Sequence, residues 1–252
     1  IISNNIKLRS MASFANLRAV NGTLWISGNA ELSTLTGLED LNVIGSDIGI
    51  VDNDALEDLQ SFPPFDSLPG ELRIAENGSL NSLDGLDNLR QISGDLRVVE
   101  NATLRSLTAL SQLTHLGEDF FVTHNSSLES LAGLRQLNSI EESLFIDEND
   151  SLVSLAGLSS IVSIGQTLRI EGNDALVSLA GANLLEHVGR DLLIIGNRTL
   201  SNLEGLSALS NVGRIVRISE NPNLPSATVR SFIDSLEARG FDGLVQIEDN
   251  ME

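Results

Sequence analysis

The sequence predicts a mainly β fold: a right-handed, β-helix-like solenoid of 24-residue coils with one parallel sheet and a C-terminal capping helix. Three observations carry that prediction. Asn5, Asn29, Asn53, Asn77, Asn101, Asn125, Asn149, Asn173, Asn197 and Asn221 follow one another at a constant spacing with no insertion, the signature of a stacked repeat. Each is followed three residues later by leucine, from Leu8 to Leu224. After Leu224 the period breaks into a helical pattern. The 252 residues therefore read as one elongated domain, a solenoid over 1–225 and a cap over 226–252 belonging to it, because a solenoid grows by stacking rather than by enlarging one core. The chain begins inside a coil, at Ile1 and Ile2, so a mature or trimmed segment is expected.

Within each coil the residues ahead of the asparagine alternate. Positions five and three before it are apolar in every complete coil, as in Leu24 and Ile26 or Leu168 and Ile170, and the position between them varies. One face of this strand is core and the other solvent. Stacking the coils then builds a parallel sheet whose outer face stays open. The asparagine itself is expected inside the turn, bonding backbone groups of its own and neighbouring coils in a continuous ladder. Asn77, Asn101, Asn125, Asn149 and Asn197 also begin glycosylation sequons, but a buried ladder residue is a poor acceptor, which leaves Asn21 as the one sequon off the ladder.

After the asparagine come leucines at the third and sixth positions, such as Leu128 and Leu131, and glycine at the eighth in six coils (Gly37, Gly85, Gly133, Gly157, Gly181, Gly205). There a corner needs positive φ or close contact between coils. Leucine at the ninth and twelfth positions and Ile, Val or Leu at the fifteenth complete the circuit, in short extended or 3₁₀ segments. Thr34, Asp58, Ser82, Ser106, Ser130, Ser154, Ser178 and Asn202 occupy the fifth position. Short polar groups there close the local turn or, alternatively, form an exposed row that binds ice or carbohydrate. In two coils the frame is altered. Phe62-Pro63-Pro64-Phe65 replaces the Gly-Leu corner and forces an extended path, either as repacking or as a contact loop. Ala182 stands where leucine is usual, with Leu184-Leu185 expected to refill the space.

At the C-terminal end, Ser226 is expected to cap a helix whose Val229, Phe232, Ile233 and Leu236 fall on one face, ending near Gly240. Val245-Gln246-Ile247 and Asn250 restate the strand and ladder residue. A helix inserted before one final strand reads as a cap that shields the last coil from solvent and edge pairing.

The frame Leu-x-Ile-x-x-Asn-x-x-Leu-x-x-Leu-x-Gly-Leu resembles a leucine-rich repeat, and its coil length makes it most similar to the receptor L-domain variety of secreted and cell-surface proteins. The Asn221-Pro222-Asn223-Leu224-Pro225, helix, Gly240-Phe241 ending resembles the C-terminal caps of such arrays. The resemblance covers essentially the whole chain and implies an extracellular or cell-surface binding or adhesion role. The chain departs from receptor L-domains in its lack of cysteine and its more regular period.

Composition narrows the function classes. A net charge of −20 argues against nucleic acid and against anionic membranes. No apolar run approaches the roughly 18 residues of a spanning helix, so no membrane insertion is expected in this segment. Lys7 is the sole lysine, and the other cations are arginine, which favours bidentate bonding. With no cysteine there is neither disulfide nor thiolate metal site. His115, His124 and His187 lie at different phases or distant coils, and no Ser, His and Asp grouping or phosphate loop is visible. No catalytic residue, metal ligand or cofactor is therefore expected. Asp52-Asn53-Asp54 and Asp147-Glu148-Asn149-Asp150 lack the ligand spacing of a calcium loop and read as solvated turns or weak calcium sites.

The candidate site is the outward column four residues before each asparagine: Trp25, Gly49, Arg73, Arg97, Phe121, Phe145, Arg169, Leu193 and Arg217. Coils stack at about 4.8 Å, so Arg73 to Arg169 form one stripe of residue types enriched at interfaces. Trp25, Arg73, Arg97, Phe121, Phe145 and Arg169 are the expected partner-binding residues. An acidic column, Asp47, Glu71, Asp95 and Asp119, lies two residues earlier, and pairing with it would make the stripe a structural ladder. The expected function is a non-catalytic extracellular recognition or adhesion module that binds a protein or glycan through the sheet face. The alternatives are a structural spacer or surface-layer element, and ice or polysaccharide-surface binding through the polar row.

Overall fold

The computed structural model describes residues 1–251, and the chain is a parallel β-solenoid. Eleven strands form one large parallel sheet in chain order: β1 (Ile2–Ser3), β2 (Leu24–Ser27), β3 (Ile48–Val51), β4 (Leu72–Ala75), β5 (Leu96–Val99), β6 (Phe120–Thr123), β7 (Leu144–Asp147), β8 (Leu168–Glu171), β9 (Asp191–Ile195), β10 (Ile215–Ser219) and β11 (Leu244–Glu248). From β1 to β10 each strand pairs with its neighbour in a register of one coil, so Leu72 lies beside Leu96 and Leu96 beside Phe120. A second wall is made of two-residue strands, among them Ser67–Leu68, Gln91–Ile92 and His115–Leu116, gathered into three small parallel sheets.

The core lies between these walls, and the apolar columns fill it rung by rung. Leu80, Leu104, Leu128, Leu152, Leu176 and Leu200 are fully buried, and so are Leu72, Leu96 and Phe120 on the sheet. Burying each such side chain is worth about 1.5–3 kcal/mol, and since every coil touches only its neighbours, the gain accumulates along the stack.

The asparagine ladder is continuous. Each side-chain Oδ1 accepts from both the backbone N–H and the Nδ2 of the asparagine one coil earlier, as Asn125 does from Asn101 at 3.1 and 3.4 Å. Its own Nδ2 donates to the carbonyls of Val98 and Thr123. Asn250 is the last rung among the described residues and receives Asn221 in the same way. From Asn29 to Asn221 the ladder residues are wholly buried, so five of the six sequons present no accessible amide, whereas Asn21 is exposed.

What turns each asparagine inward is the residue before it. Strict alternation from the two buried strand positions would put that preceding residue inside and the asparagine outside. Instead it adopts the left-handed region, with φ from 52° to 65°, at Asn4, Gly28, Asp52, Glu76, Glu100, His124, Glu148, Gly172, Gly196, Glu220 and Asp249. This bend reverses the alternation. In most coils a non-glycine residue holds the conformation, which costs an L-residue roughly 1–2 kcal/mol.

The eighth-position glycines turn the opposite corner. Gly85, for example, has φ 116°, and a Cβ there would collide with the Leu59 carbonyl one coil earlier, so positive φ and close approach both apply. Where the sequence has Ser13 or Ala109 instead, the corner becomes a 3₁₀ turn, Ala12–Phe14 and Thr108–Leu110. Around the Pro63-Pro64 corner, Phe62 is buried and Phe65 packs edge-on against it at 5.9 Å.

Two expectations need correction. Leu184 does not refill the space beside Ala182: it is 52% exposed, and the buried residue is Leu185, which occupies its regular column. Ser226 is not the cap of the helix α1 (Ser226–Glu237) but its first residue. Pro225 holds the capping position with no side-chain bond, and the Ser226 N–H is taken by the Met251 carbonyl. The cap covers the last coil as expected, with β11 paired on β10. Val229, Ile233 and Leu236 of α1 close the core, but β11 beside them is half-exposed along its length, with Leu244 at 53%.

Candidate functional site

The register of the large sheet brings the predicted outward column into one line. Trp25 pairs with Gly49, Gly49 with Arg73, Arg73 with Arg97, Arg97 with Phe121, Phe121 with Phe145, Phe145 with Arg169, Arg169 with Leu193 and Leu193 with Arg217. All six predicted site residues are half-buried, and the arginine side chains of this line remain 29–38% exposed.

At the centre the side chains form a four-plate stack. The Phe121 and Phe145 rings lie 4.7 Å apart at 13°. The Arg97 guanidinium covers the Phe121 ring, its carbon 3.9 Å from the centroid, and Arg169 covers the Phe145 ring at 5.1 Å. Ring faces carry negative quadrupole charge and attract these cations. The guanidinium groups are held in turn by carboxylates. Arg169 is bidentate to Asp147, at 3.1 and 2.6 Å. Arg97 bonds Asp95 and lies 2.9 Å from Glu71, although Glu71 Oε1 receives no aligned hydrogen bond. Trp25 is settled differently: its ring lies flat across Gly49, where any Cβ would strike it.

Arg73 is the member left short. Its Nε is buried with no acceptor, its nearest carboxylate, Glu76, is 4.0 Å away, and the like-charged Arg97 stands directly beside it in the register.

Two acidic columns flank the stripe. The first, expected to pair with the arginines, mainly caps backbone. Asp47 accepts the Glu71 N–H at 3.0 Å, Asp95 the Asp119 N–H at 2.9 Å and Asp119 the Ser143 N–H at 2.8 Å. The bond from Glu71 holds the Asp47 carboxyl below its usual range. Glu71 is pushed up by burial, with partial relief from Arg97, and Asp147 is pushed up by burial against the bonds from Arg169. The second column is the left-handed corner itself, where Asp52, Glu76, Glu100, Glu148 and Glu220 are exposed. Reading the sequence missed it. The available signal was glycine at Gly28, Gly172 and Gly196, interleaved with short or acidic residues at the same phase.

Other candidate groups are accounted for locally. The polar row closes turns: Asp58, Ser82, Ser130 and Asn202 each accept the backbone N–H two residues on, at 3.0 Å. In the acidic runs, Asp147 is tied to Arg169 and Asn149 belongs to the ladder. The three histidines each face a separate carboxylate: His115 Glu141, His124 Glu148 and His187 Glu186. Among the described residues no His, Cys, Asp and Glu group is arranged to hold a metal, and no helix is long and apolar enough to cross a membrane. Open clefts of about 610 and 470 Å³ lie on either side of Pro64, edged by Glu39, Asp66, Asp84 and Asp87. Neither a family model, nor a curated protein, nor a solved structure matches the chain.

Proposed function

We propose that the chain is a non-catalytic recognition or adhesion module, extracellular or displayed at a cell surface, which binds a protein or glycan through the open face of its large sheet. The coil is read as a leucine-rich repeat of the receptor L-domain kind, on the strength of the frame from Leu96 and Val98 through Asn101, Leu104 and Leu107. The observation that carries the binding role is Arg73. A ladder serving only stability has no reason to place two arginines side by side and leave one 35% exposed with no carboxylate nearer than 4.0 Å, because like charges directly opposite each other are destabilising. A partner oxygen bonded to the exposed part of the Arg73 guanidinium would offset that repulsion. Half-exposed aromatic and arginine side chains in the same line are residue types that dominate interface energetics.

A second reading, a spacer whose repeat sets only length and rigidity, draws support from the rest of the stripe. Arg97, Phe121, Phe145 and Arg169 satisfy one another and their flanking carboxylates.

The test is capture of a partner from arrays of proteins and glycans, followed by paired variants. Phe121→Ser with Phe145→Ser should abolish binding. Val153→Ser with Val177→Ser, at exposed positions elsewhere on the coil, should leave it intact. Equal binding by both pairs removes the sheet face as the site and leaves the spacer.

A further inference from the structure

We infer that the occupant of the sheet face is a cationic polypeptide rather than a carbohydrate, an inference that rests on the sheet-face reading above. Sugars are gripped by aromatic rings through their faces, where the apolar C–H side of a pyranose lies flat against the ring. At the centre of the stripe, on Phe121 and Phe145, those faces are already taken. Phe121 is covered by Arg97 on one side and Phe145 on the other, and Phe145 by Phe121 and Arg169. Only ring edges are presented outward. Ring edges carry the positive part of the quadrupole and meet carbonyl oxygens well, and carbonyl oxygens are what a polypeptide backbone offers. The same backbone supplies an acceptor for the exposed part of the Arg73 guanidinium, whose nearest carboxylate is 4.0 Å away.

Charge complementarity specifies the side chains. On this face the guanidinium groups of Arg97, Arg169 and Arg217 are already engaged by carboxylates or by Ser219. The exposed corner column is less engaged: Asp52 and Glu100 have no cation within 4.0 Å among the described residues, and Glu76 has only Arg73 at that limit. These three stand on consecutive coils, about 4.8 Å apart, along one rim of the stripe. A polypeptide bearing lysine or arginine therefore meets unpaired carboxylates at the rim and finds ring edges and Arg73 at the centre. An acidic partner would be repelled by the rim.

The experiment uses the full chain and three probes: a short oligolysine, an oligoglutamate of equal length and a cello-oligosaccharide. Two triple variants with the same charge change are compared, Asp52→Asn/Glu76→Gln/Glu100→Gln on the rim and Glu57→Gln/Asp84→Asn/Glu204→Gln at exposed positions off the face. Binding is read by calorimetry and by chemical-shift changes of the Phe121 and Phe145 rings. Oligolysine should bind, shift both rings and weaken about tenfold in the rim variant, as expected for three exposed ion pairs, but less than about twofold in the other. Equal weakening in both variants overturns the inference, because the attraction is then net charge alone. Oligosaccharide binding that shifts the two rings or quenches Trp25 also overturns it, while leaving the sheet face as the recognition surface. Failure of the sheet face itself is read separately, from the serine variants and the captured partner.

Discussion

Removing one rung from the middle of the asparagine ladder tests what holds the stack together. In Asn125→Ala the Oδ1 that accepts the Asn101 N–H and Nδ2 is lost, and so is the Nδ2 that donates to the Val98 and Thr123 carbonyls and to Asn149. The Asn101 Nδ2 keeps the Ile74 and Val99 carbonyls. The Asn101 N–H and the Val98 carbonyl lose their ladder partner in a wholly buried place. Two orphaned buried groups at about 1–3 kcal/mol each give about 2–6 kcal/mol, a large part of the 5–15 kcal/mol that typically separates folded from unfolded chains. Asn5→Ala is the internal control. Among the described residues no rung donates to Asn5, and its amide reaches only Ser3 and Asn29 in partly exposed surroundings, so its loss should cost this chain less than about 1 kcal/mol. Urea unfolding gives the difference, and hydrogen exchange at the Asn101 amide gives its location. If the two variants are equally stable, or the Asn101 amide stays as protected as in the wild type, the ladder is not what fixes the stack.

The two kinds of corner should respond oppositely to substitution. Glu100→Gly, at φ 56°, relieves about 1–2 kcal/mol of left-handed strain against about 0.5–1 kcal/mol of added chain entropy. It should therefore raise the melting temperature slightly, and a clear fall would show that the residue is not strained. Gly85→Ala should destabilise by more than about 2 kcal/mol, since its Cβ strikes the Leu59 backbone, while Gly22→Ala, with open space around it, should be neutral. The pH dependence divides by the sign of each shift. Glu71 has a raised folded-state pKa, so the native state binds the extra proton and stability falls as pH rises through the interval between the unfolded and folded values. Glu71→Gln should thus be more stable than wild type at neutral pH, and the advantage should shrink as pH falls below the folded pKa and vanish below the unfolded one. Asp47 is depressed, so its contribution is present above the unfolded pKa and lost as pH falls through the folded one. Asp47→Asn should be less stable at neutral pH, with the gap closing in acid. Urea midpoints across pH check both, and parallel curves for the two variants would contradict the assignments.

Much of the fold was legible because a repeat states its contacts repeatedly. The spacing of Asn5 through Asn221 implied the ladder, and Leu24 and Ile26 implied which strand face is core. For Ser82 and Ser130, side-chain length allowed turn closure or an exposed binding row, and the bonds they accept from the backbone show the first. The line Trp25, Gly49, Arg73, Arg97, Phe121, Phe145, Arg169 was also readable, since an unbroken period fixes the register. Leu184 was misread because two adjacent leucines do not say which one faces inward. Ser226 was misread because a capping residue type does not identify the capping position when proline precedes it.

By itself, then, the sequence determined the period, the ladder, the core columns and the line of side chains on the open face, all of which follow from counting residues at constant phase. Only the tertiary structure decided the rest. Glu76 and Glu100 bend left-handed because the asparagine after them must turn inward, a demand of the stack that a glutamate does not advertise. Asp95 and Asp119 cap backbone one coil on, and the faces of Phe121 and Phe145 are closed by Arg97 and Arg169, because side-chain rotamers settle against neighbours 24 residues away. Phase in a sequence tells which residues stand side by side; how they turn toward one another is set by the packing between coils.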